Sequence, residues 1–469
     1  MPLKEECGVF GIWDHPEAAR LVYLGLYSQQ HRGQESAGIS TISDEGVIYS
    51  HVDMGLVHEV FNEDNISRLV GGRAIGHVRY STTGSSQICN AQPIVRNYAR
   101  GQIAFCFNGN IVNAQELRHG LEEAGSIFQG SSDGEVIVHL VARQHEESLL
   151  DRVANALRHC QGAYSALFMN QHEVLAVRDP HGFRPLCLGK LGAAWMVASE
   201  SCAFDIVDGE YVRDLRPGEV LRITDSGLES FFPFEPVEAQ PCIFELVYFA
   251  RPDSIVFERD VNEVRKRLGR QLAIESHVDA DLVFAVPDSS NLVALGFSQE
   301  SGIPFEIGLM RNHYVGRTFI EPEQSIRDFG AKIKYSPLRS TLRGQRVVVV
   351  DDSIVRGTTV RKIVKMIRKA GAAEVHLRIA SPPIRHACFY GIDMPTTSEL
   401  IASTHSPEEI RRHIRVDSLH YLSVEGLLEA CRGTMDTYCT ACFSGRYAID
   451  FSQLDETKFA FERRPLVTV

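Results

Sequence analysis

The hydrophobic and polar positions fall into two regimes. In the first half, Cys7-Gly-Val-Phe-Gly-Ile12 is a small apolar strand, and Gly101–Phe107 and Glu173–Val177 alternate at a period of two. That period predicts strands whose side chains point to opposite faces. Beyond residue 241, apolar strands alternate with helical patterns, the order of βαβ units around a parallel sheet. Asp281–Val286 is one such strand. The four consecutive valines Val347–Val350 are another, and an unbroken β-branched run predicts burial on both faces. The helix that follows has Val360, Ile363, Val364 and Ile367 on one face and Gly371 as its stop. Between the regimes, Phe232–Pro241 carries three prolines and no periodicity. It reads as a connection between domains.

The valine strand ends in chemistry. Asp351-Asp352-Ser353 is followed by Arg356, Gly357, Thr358 and Thr359 at the start of the helix. In open α/β sheets, ligands bind beyond the carboxyl ends of the strands. Small residues there let backbone N–H groups approach a phosphate, and a helix N-terminus adds a favourable field. An acidic pair would repel that phosphate, so it must face ribose hydroxyls or a phosphate-held Mg²⁺. The alternative is a solvated Asp-Asp turn. Strand Asp281–Val286 ends in another strand-to-helix turn with small polar residues, Pro287-Asp-Ser-Ser-Asn291, where Ser290 by itself reads as a helix N-cap. Residues 311–346 form a long, poorly periodic segment with Arg327, Lys332 and Lys334. Such segments in compact domains are functional lids or disordered. Its basic residues could close over a pyrophosphate and exclude water.

Cys7 stands behind a charged leader of six residues. It is either a buried strand cysteine or, with Met1–Glu6 removed, a residue carrying both a thiol and a free α-amine. An α-amine with a pKa of about 7.7–8.0 can accept the thiol proton near neutrality, making nucleophile and base one residue. Five short motifs follow in order: His31-Arg-Gly-Gln34, Gly76–Gly84 with Arg79, Asn90-Ala-Gln-Pro93, Phe107-Asn-Gly-Asn110 and Ser132-Asp133-Gly-Glu135. Taken alone, Arg79 and Asp133 read as structural ion-pair partners.

Composition narrows the classes. A chain of 469 residues predicts two or three domains. A net charge of −12 argues against a general nucleic-acid binder. No apolar run is long enough to span a bilayer, and the N-terminus lacks the apolar core of a signal peptide. The expected location is cytoplasmic, with the 11 cysteines reduced, catalytic or metal-bound. Cys439-Thr-Ala-Cys442 is a CxxC pair, either redox-active or half of a metal site. With Cys242 and Cys388 it would make a four-thiolate set that suits zinc or an iron–sulfur cluster, and spacing does not choose. Cys89, Cys106, Cys160, Cys187, Cys202 and Cys431 show no pattern and are expected in the core.

The motifs carry two resemblances. Val347–Thr359 resembles the phosphoribosyl pyrophosphate (PRPP) loop of type I phosphoribosyltransferases. Cys7 and the five ordered motifs resemble the glutaminase domain of class II, N-terminal-nucleophile amidotransferases. Joined in one chain, they resemble the glutamine PRPP amidotransferases. That family makes phosphoribosylamine from glutamine, PRPP and water at the first committed step of purine synthesis. The resemblance implies an α/β/β/α sandwich over residues 7–233, after a propeptide at 1–6. A doubly wound parallel sheet and a cysteine-rich tail would fill 234–469. It implies Cys7 as nucleophile, Asn108 and Gly109 as oxyanion donors, and Arg79 and Asp133 as holders of glutamine. It places PRPP on Asp351, Asp352, Ser353, Arg356, Gly357, Thr358, Thr359 and Lys332, with Mg²⁺ at Ser290, Asp351 and Asp352. An Arg is often found in the family where this chain has Lys332. The sequences around Cys242, Cys388, Cys439 and Cys442 resemble the [4Fe–4S]-bearing branch. Purine-nucleotide inhibition and a homotetramer are further implications, with neither nucleic acid nor membrane as a partner. The rivals are an amidotransferase for another acceptor and a non-enzymatic PRPP sensor. The PRPP loop argues against the first, and the Cys7 constellation against the second.

Overall fold

The structure is a computed structural model and describes residues 7–80, 86–312, 334–394 and 396–449. The leader Met1–Glu6, Lys332 and most of the segment 311–346 lie outside the described residues.

Alternation along each strand builds the first half. Strand Gly8–Trp13 sends Phe10 and Ile12 to one side, where they pack on Ala19, Val22 and Leu26 of helix Ala18–Ser28. Val9 and Trp13 point the other way, into a layer shared with Cys106, Leu167, Ala176 and Leu221. Those four belong to a second sheet. Its opposite face carries Phe105, Phe107, Phe168 and Val177, packed against Leu121, Val136 and Val153 of helices Ala114–Glu123, Asp133–Arg143 and Leu149–Leu157. The layers therefore run helix, sheet, sheet, helix, as the resemblance implies. The first sheet has seven strands, with Gly8–Trp13 between Ala194–Ala198 and Arg73–Arg79. The second has six, with Gly101–Ile111 between Ile94–Tyr98 and Gly162–Met169. All pairings in both are antiparallel.

The second half is organised on four parallel strands in the order Leu282–Ala285, Arg346–Asp351, Glu374–Ile379, Ser418–Tyr421. The valine run is buried on both faces, as its composition predicts. Val347 and Val349 pack on the amphipathic helix Thr358–Ala370, which ends at Gly371 in the left-handed conformation. Val348 and Val350 face helices Val261–Glu275 and Asn291–Ser301. Helices on both faces make the sheet doubly wound. Residues 232–241 carry neither helix nor strand. Immediately after them, Glu245–Phe249 forms one turn of π-helix, which no periodicity in the sequence announces.

Two cysteines depart from the expected core placement. Cys89 is exposed and Cys160 half-buried, because each sits in or beside a turn rather than on an inward strand position. Cys106, Cys187, Cys202 and Cys431 are buried.

Helices Val261–Glu275 and Asn291–Ser301 cross in close contact. A β-carbon at Gly269 would lie 1.9 Å from the carbonyl oxygen of Val293, and one at Gly296 2.1 Å from that of Lys266. Neither neighbour is a flexible side chain, so the helices would have to separate. Gly269→Ala should therefore destabilise the protein by about 1–3 kcal/mol despite the better helix propensity of alanine. Chemical denaturation would show a lower midpoint, and an unchanged midpoint would mean that the crossing yields without cost.

Candidate active site

The first constellation lies where the two sheets of the sandwich meet. Cys7 precedes the central strand of the first sheet, and Arg79 ends its neighbour Arg73–Arg79. The Cys7 thiol donates to the carbonyl of Tyr80 at 3.4 Å. Arg79, Asp133 and Glu35 all lie within electrostatic reach of the thiol. Burial pushes that thiol up to about 12, so it is neutral at pH 7 and attacks only if a base takes its proton. Arg79 is buried, with the Glu35 carboxylate at 4.0 Å. Asp133 is the first residue of its helix, whose N-cap Ser132 accepts from the Gly134 N–H at 3.0 Å. Asp133 itself accepts from the Ile111 N–H at 2.9 Å and the Gly134 N–H at 3.1 Å. Burial nevertheless raises its carboxyl to about 6.

Asn108 and Gly109 lie on strand Gly101–Ile111, opposite Ser165 and Tyr164. Both side-chain polar atoms of Asn108 are buried and have no hydrogen-bond partner. An unsatisfied buried amide costs about 1–3 kcal/mol, which a ligand oxygen would recover. Gly109 has φ +154°, and a β-carbon there would stand 1.9 Å from the Ala163 carbonyl oxygen. Only glycine fits. The strand is aligned by two contacts to Phe107. Gln92 accepts from the Phe107 N–H at 2.8 Å, and the His77 ring reaches its carbonyl at 3.0 Å. Facing a carbonyl, His77 Nε2 must donate. Burial pulls the His77 pKa down to about 3, so the ring is neutral. The motif Asn90–Pro93 thus acts by support, since Asn90 also bonds the Ser131 backbone and hydroxyl, ahead of Asp133.

The second constellation is at the carboxyl end of the parallel sheet. Asp351 closes strand Arg346–Asp351 and its carboxylate accepts from the Asp352 N–H at 3.0 Å. Asp352 accepts from Ser289 at 2.5 Å and Ser353 at 2.6 Å. Ser290 is fully buried at the N-cap position of its helix, but its side chain makes no cap bond; its hydroxyl points to Asp351 at 3.5 Å. Both turns singled out in the sequence therefore meet in one crevice. Burial holds the carboxyls of Asp351 and Asp352 above the usual range, and for Asp351 the Asp352 charge adds to it. Such a pair is suited to a cation. Gly357 precedes the helix begun by Thr358 and Thr359, and Arg356 pairs with Glu399 at 2.7 Å. Sequence reasoning missed Arg265. It is buried, donates to the carbonyls of Leu246, Tyr248 and Ala250, and stabilises the Asp352 charge. Its place on an ordinary helical face gives no signal.

The four cysteines Cys242, Cys388, Cys439 and Cys442 come together from three distant segments. Cys242 bridges Cys439 backbone to backbone, and Cys388 packs against the clusters containing Cys439 and Cys442. The Cys442 thiol is raised by burial and then by each of the other three. Among the described residues, no three His, Cys, Asp or Glu side chains are grouped to hold one metal ion. In a cubane each thiolate binds a different iron, so its four sulfurs stand farther apart than those around a single ion. Four thiolates as a donor set suit either zinc or an iron–sulfur cluster.

Two family models match the chain: a glutamine amidotransferase domain over residues 77–205 and a phosphoribosyl transferase domain over residues 272–380. The chain is 50% identical over 456 residues to the amidophosphoribosyltransferase of Bacillus subtilis, covering 96% of each. It is 52% identical over 447 residues to amidophosphoribosyltransferase 1, chloroplastic, of Arabidopsis thaliana, covering 95% of this chain and 79% of that one. The solved structure of glutamine phosphoribosylpyrophosphate amidotransferase from Bacillus subtilis complexed with ADP and GMP superposes with a TM-score of 0.91 at 48% identity, over 95% of this chain and 98% of that one.

The chain belongs to the amidophosphoribosyltransferase family.

Amidophosphoribosyltransferases are glutamine-dependent enzymes of the first step of purine biosynthesis. The two halves described above match the two activities that this step needs, a glutamine amidotransferase and a phosphoribosyl transferase. Among the described residues, no helix is long and apolar enough to cross a membrane.

The Asp133 carboxyl gives the glutamine half a testable acid limb. With a pKa raised to about 6, it takes up a proton below that pH and loses its charge. For the free enzyme, kcat/KM for glutamine should fall about tenfold per unit below pH 6. Asp133→Asn should be slow at every pH and lack that limb. A variant that kept it would assign the titration to another group.

Proposed function

We propose that Cys7 and the Asp351–Asp352 pair are the two reaction centres of this amidophosphoribosyltransferase. The observation that carries the glutamine site is the buried, unpartnered amide of Asn108. With Gly109 it would donate to the oxyanion formed as the Cys7 sulfur attacks the amide carbon of glutamine, worth about 3 kcal/mol per donor. The α-amine of Cys7, free once Met1–Glu6 are removed, would accept the thiol proton and pass it to the departing ammonia. Water then hydrolyses the thioester to glutamate. Arg79 would hold the glutamine carboxylate and Asp133 its ammonium group.

At the second centre, ammonia attacks C1 of PRPP and pyrophosphate leaves. The backbone of Ser353–Thr359 would cradle the 5-phosphate, with Ser353, Arg356, Gly357, Thr358 and Thr359 around it and Lys332 over the pyrophosphate. Asp351, Asp352 and Ser290 would face the ribose and a Mg²⁺ bound largely by the substrate. Mg²⁺ keeps waters and phosphates as ligands and needs only one or two carboxylates from protein, so a preformed cage is not required. The boundary between the halves is placed at residues 233–234, and ammonia passes between the sites inside the protein. Cys242, Cys388, Cys439 and Cys442 would hold a [4Fe–4S] cluster that ties the junction to the tail, a structural role. A Bacillus subtilis relative was solved with ADP and GMP, which supports purine nucleotides as feedback ligands here. A cytoplasmic homotetramer completes the proposal.

Separate substitutions at the two centres test this reading. Cys7→Ala should abolish synthesis from glutamine and keep synthesis from PRPP and added ammonia, more strongly as pH rises toward 9 and ammonium deprotonates. Asp351→Asn should weaken PRPP use from either nitrogen source by about 2–4 kcal/mol, or two to three decades. Glutamine-dependent turnover by Cys7→Ala would remove Cys7 from the mechanism.

Metal analysis tests the cysteine set. Protein purified without oxygen should be brown, with about four irons per chain. Cys439→Ser should bleach it. Stoichiometric zinc and no visible absorption would reject the cluster.

A further inference from the structure

One buried guanidinium joins the end of the glutaminase sandwich to the transferase half. Arg32 donates from Nε to the carbonyl oxygen of Cys7 at 3.1 Å. Its other edge is taken by Glu245, with Nη1 at 3.0 Å and Nη2 at 2.8 Å from the two carboxylate oxygens. Glu245 also accepts from Arg184 at 3.2 Å, and Arg32 pairs with Glu200. The Arg32 side chain is 1% exposed, and those of Glu200, Glu245 and Arg184 are 0% exposed. Two guanidinium charges thus meet two carboxylates out of water.

The geometry constrains Cys7. A forked pair between guanidinium and carboxylate is planar and resists rotation. With its Nη edge held by Glu245, Arg32 has its Nε–H aimed at a single point, the Cys7 carbonyl. Strand pairing begins only at Gly8. In a chain that starts at Cys7, no earlier peptide steadies that residue, and the orientation of its carbonyl sets where its thiol and α-amine lie. Glu245 belongs to the turn Glu245–Phe249, beyond the interdomain connection and far from Cys7 in sequence.

We propose that Glu245, a residue of the transferase side, is a positioning residue for the glutamine half-reaction, acting on Cys7 through Arg32. The proposal rests on the reading of Cys7 as nucleophile. A residue that aims the nucleophile affects the rate of thioester formation more than the binding of glutamine, which Arg79 and Asp133 would hold.

The test uses Glu245→Gln, which keeps the shape and removes the charge, and Glu245→Asp, which keeps the charge and shortens the reach. Each purified enzyme is assayed with PRPP and either glutamine or ammonia. Glu245→Gln should lose about ten- to a hundredfold in kcat with glutamine, as misplacement of a reacting group does. Its glutamine KM and its ammonia-dependent rate should stay near wild type. Glu245→Asp should lose less, with the same split, and carries the test if Glu245→Gln does not fold. Full glutamine turnover, a rise in KM at constant kcat, or equal loss of glutamine- and ammonia-dependent rates in both variants would each overturn the proposal. Cys7→Ala run beside them separates the two claims, since glutamine turnover there would remove the nucleophile itself.

Discussion

Buried opposite charges at the junction of the two halves constrain everything around them. Arg32 and Arg184 meet Glu200 and Glu245 without water, and His31, Ser254 and the Arg251 N–H complete the shell of Glu200. Taking such groups out of water costs several kcal/mol per ion, so the cluster adds little to net stability. Its effect is on geometry. Removing one partner would strand a buried charge, at a cost of about 3–5 kcal/mol. The Glu200 carboxyl is held far below the usual range, although burial alone would raise it, because His31 and Arg32 stand against it.

Burial disfavours the charged form at both proposed centres. Burial keeps the Cys7 thiol protonated, so the proposed nucleophile is inert until a base acts. Burial of Asp351 and Asp352 makes two adjacent charges unfavourable, which a cation relieves.

Much of this was legible in the sequence. The valine run, the Asp-Asp turn and the helix up to Gly371 stand where the pattern put them, because strand burial and helix termination are local properties. Asn108, Arg79 and Asp133 were reached through motif order rather than chemistry. Alone, each reads as an ordinary polar residue. The run Val177–Pro185 acquires its role only through folded contacts. In the structure Arg178 and Asp179 bind its own backbone into a turn that delivers Arg184 to the buried charges and stacks Phe183 on Tyr390 at 4.0 Å.

By itself, the sequence determined the elements, their faces and the residue types available for chemistry, since these follow from periodicity and short-range sterics. Tertiary structure alone decided which of those residues meet. Four cysteines from three segments converge, Ser290 turns from its helix toward Asp351, and Glu245 reaches across the junction to Arg32. None of these contacts has a spacing that could be read along the chain. Each is set by how sheets, helices and buried charges pack once apolar faces are removed from water, and that packing joins positions as far apart as Cys7 and Glu245 through a single side chain.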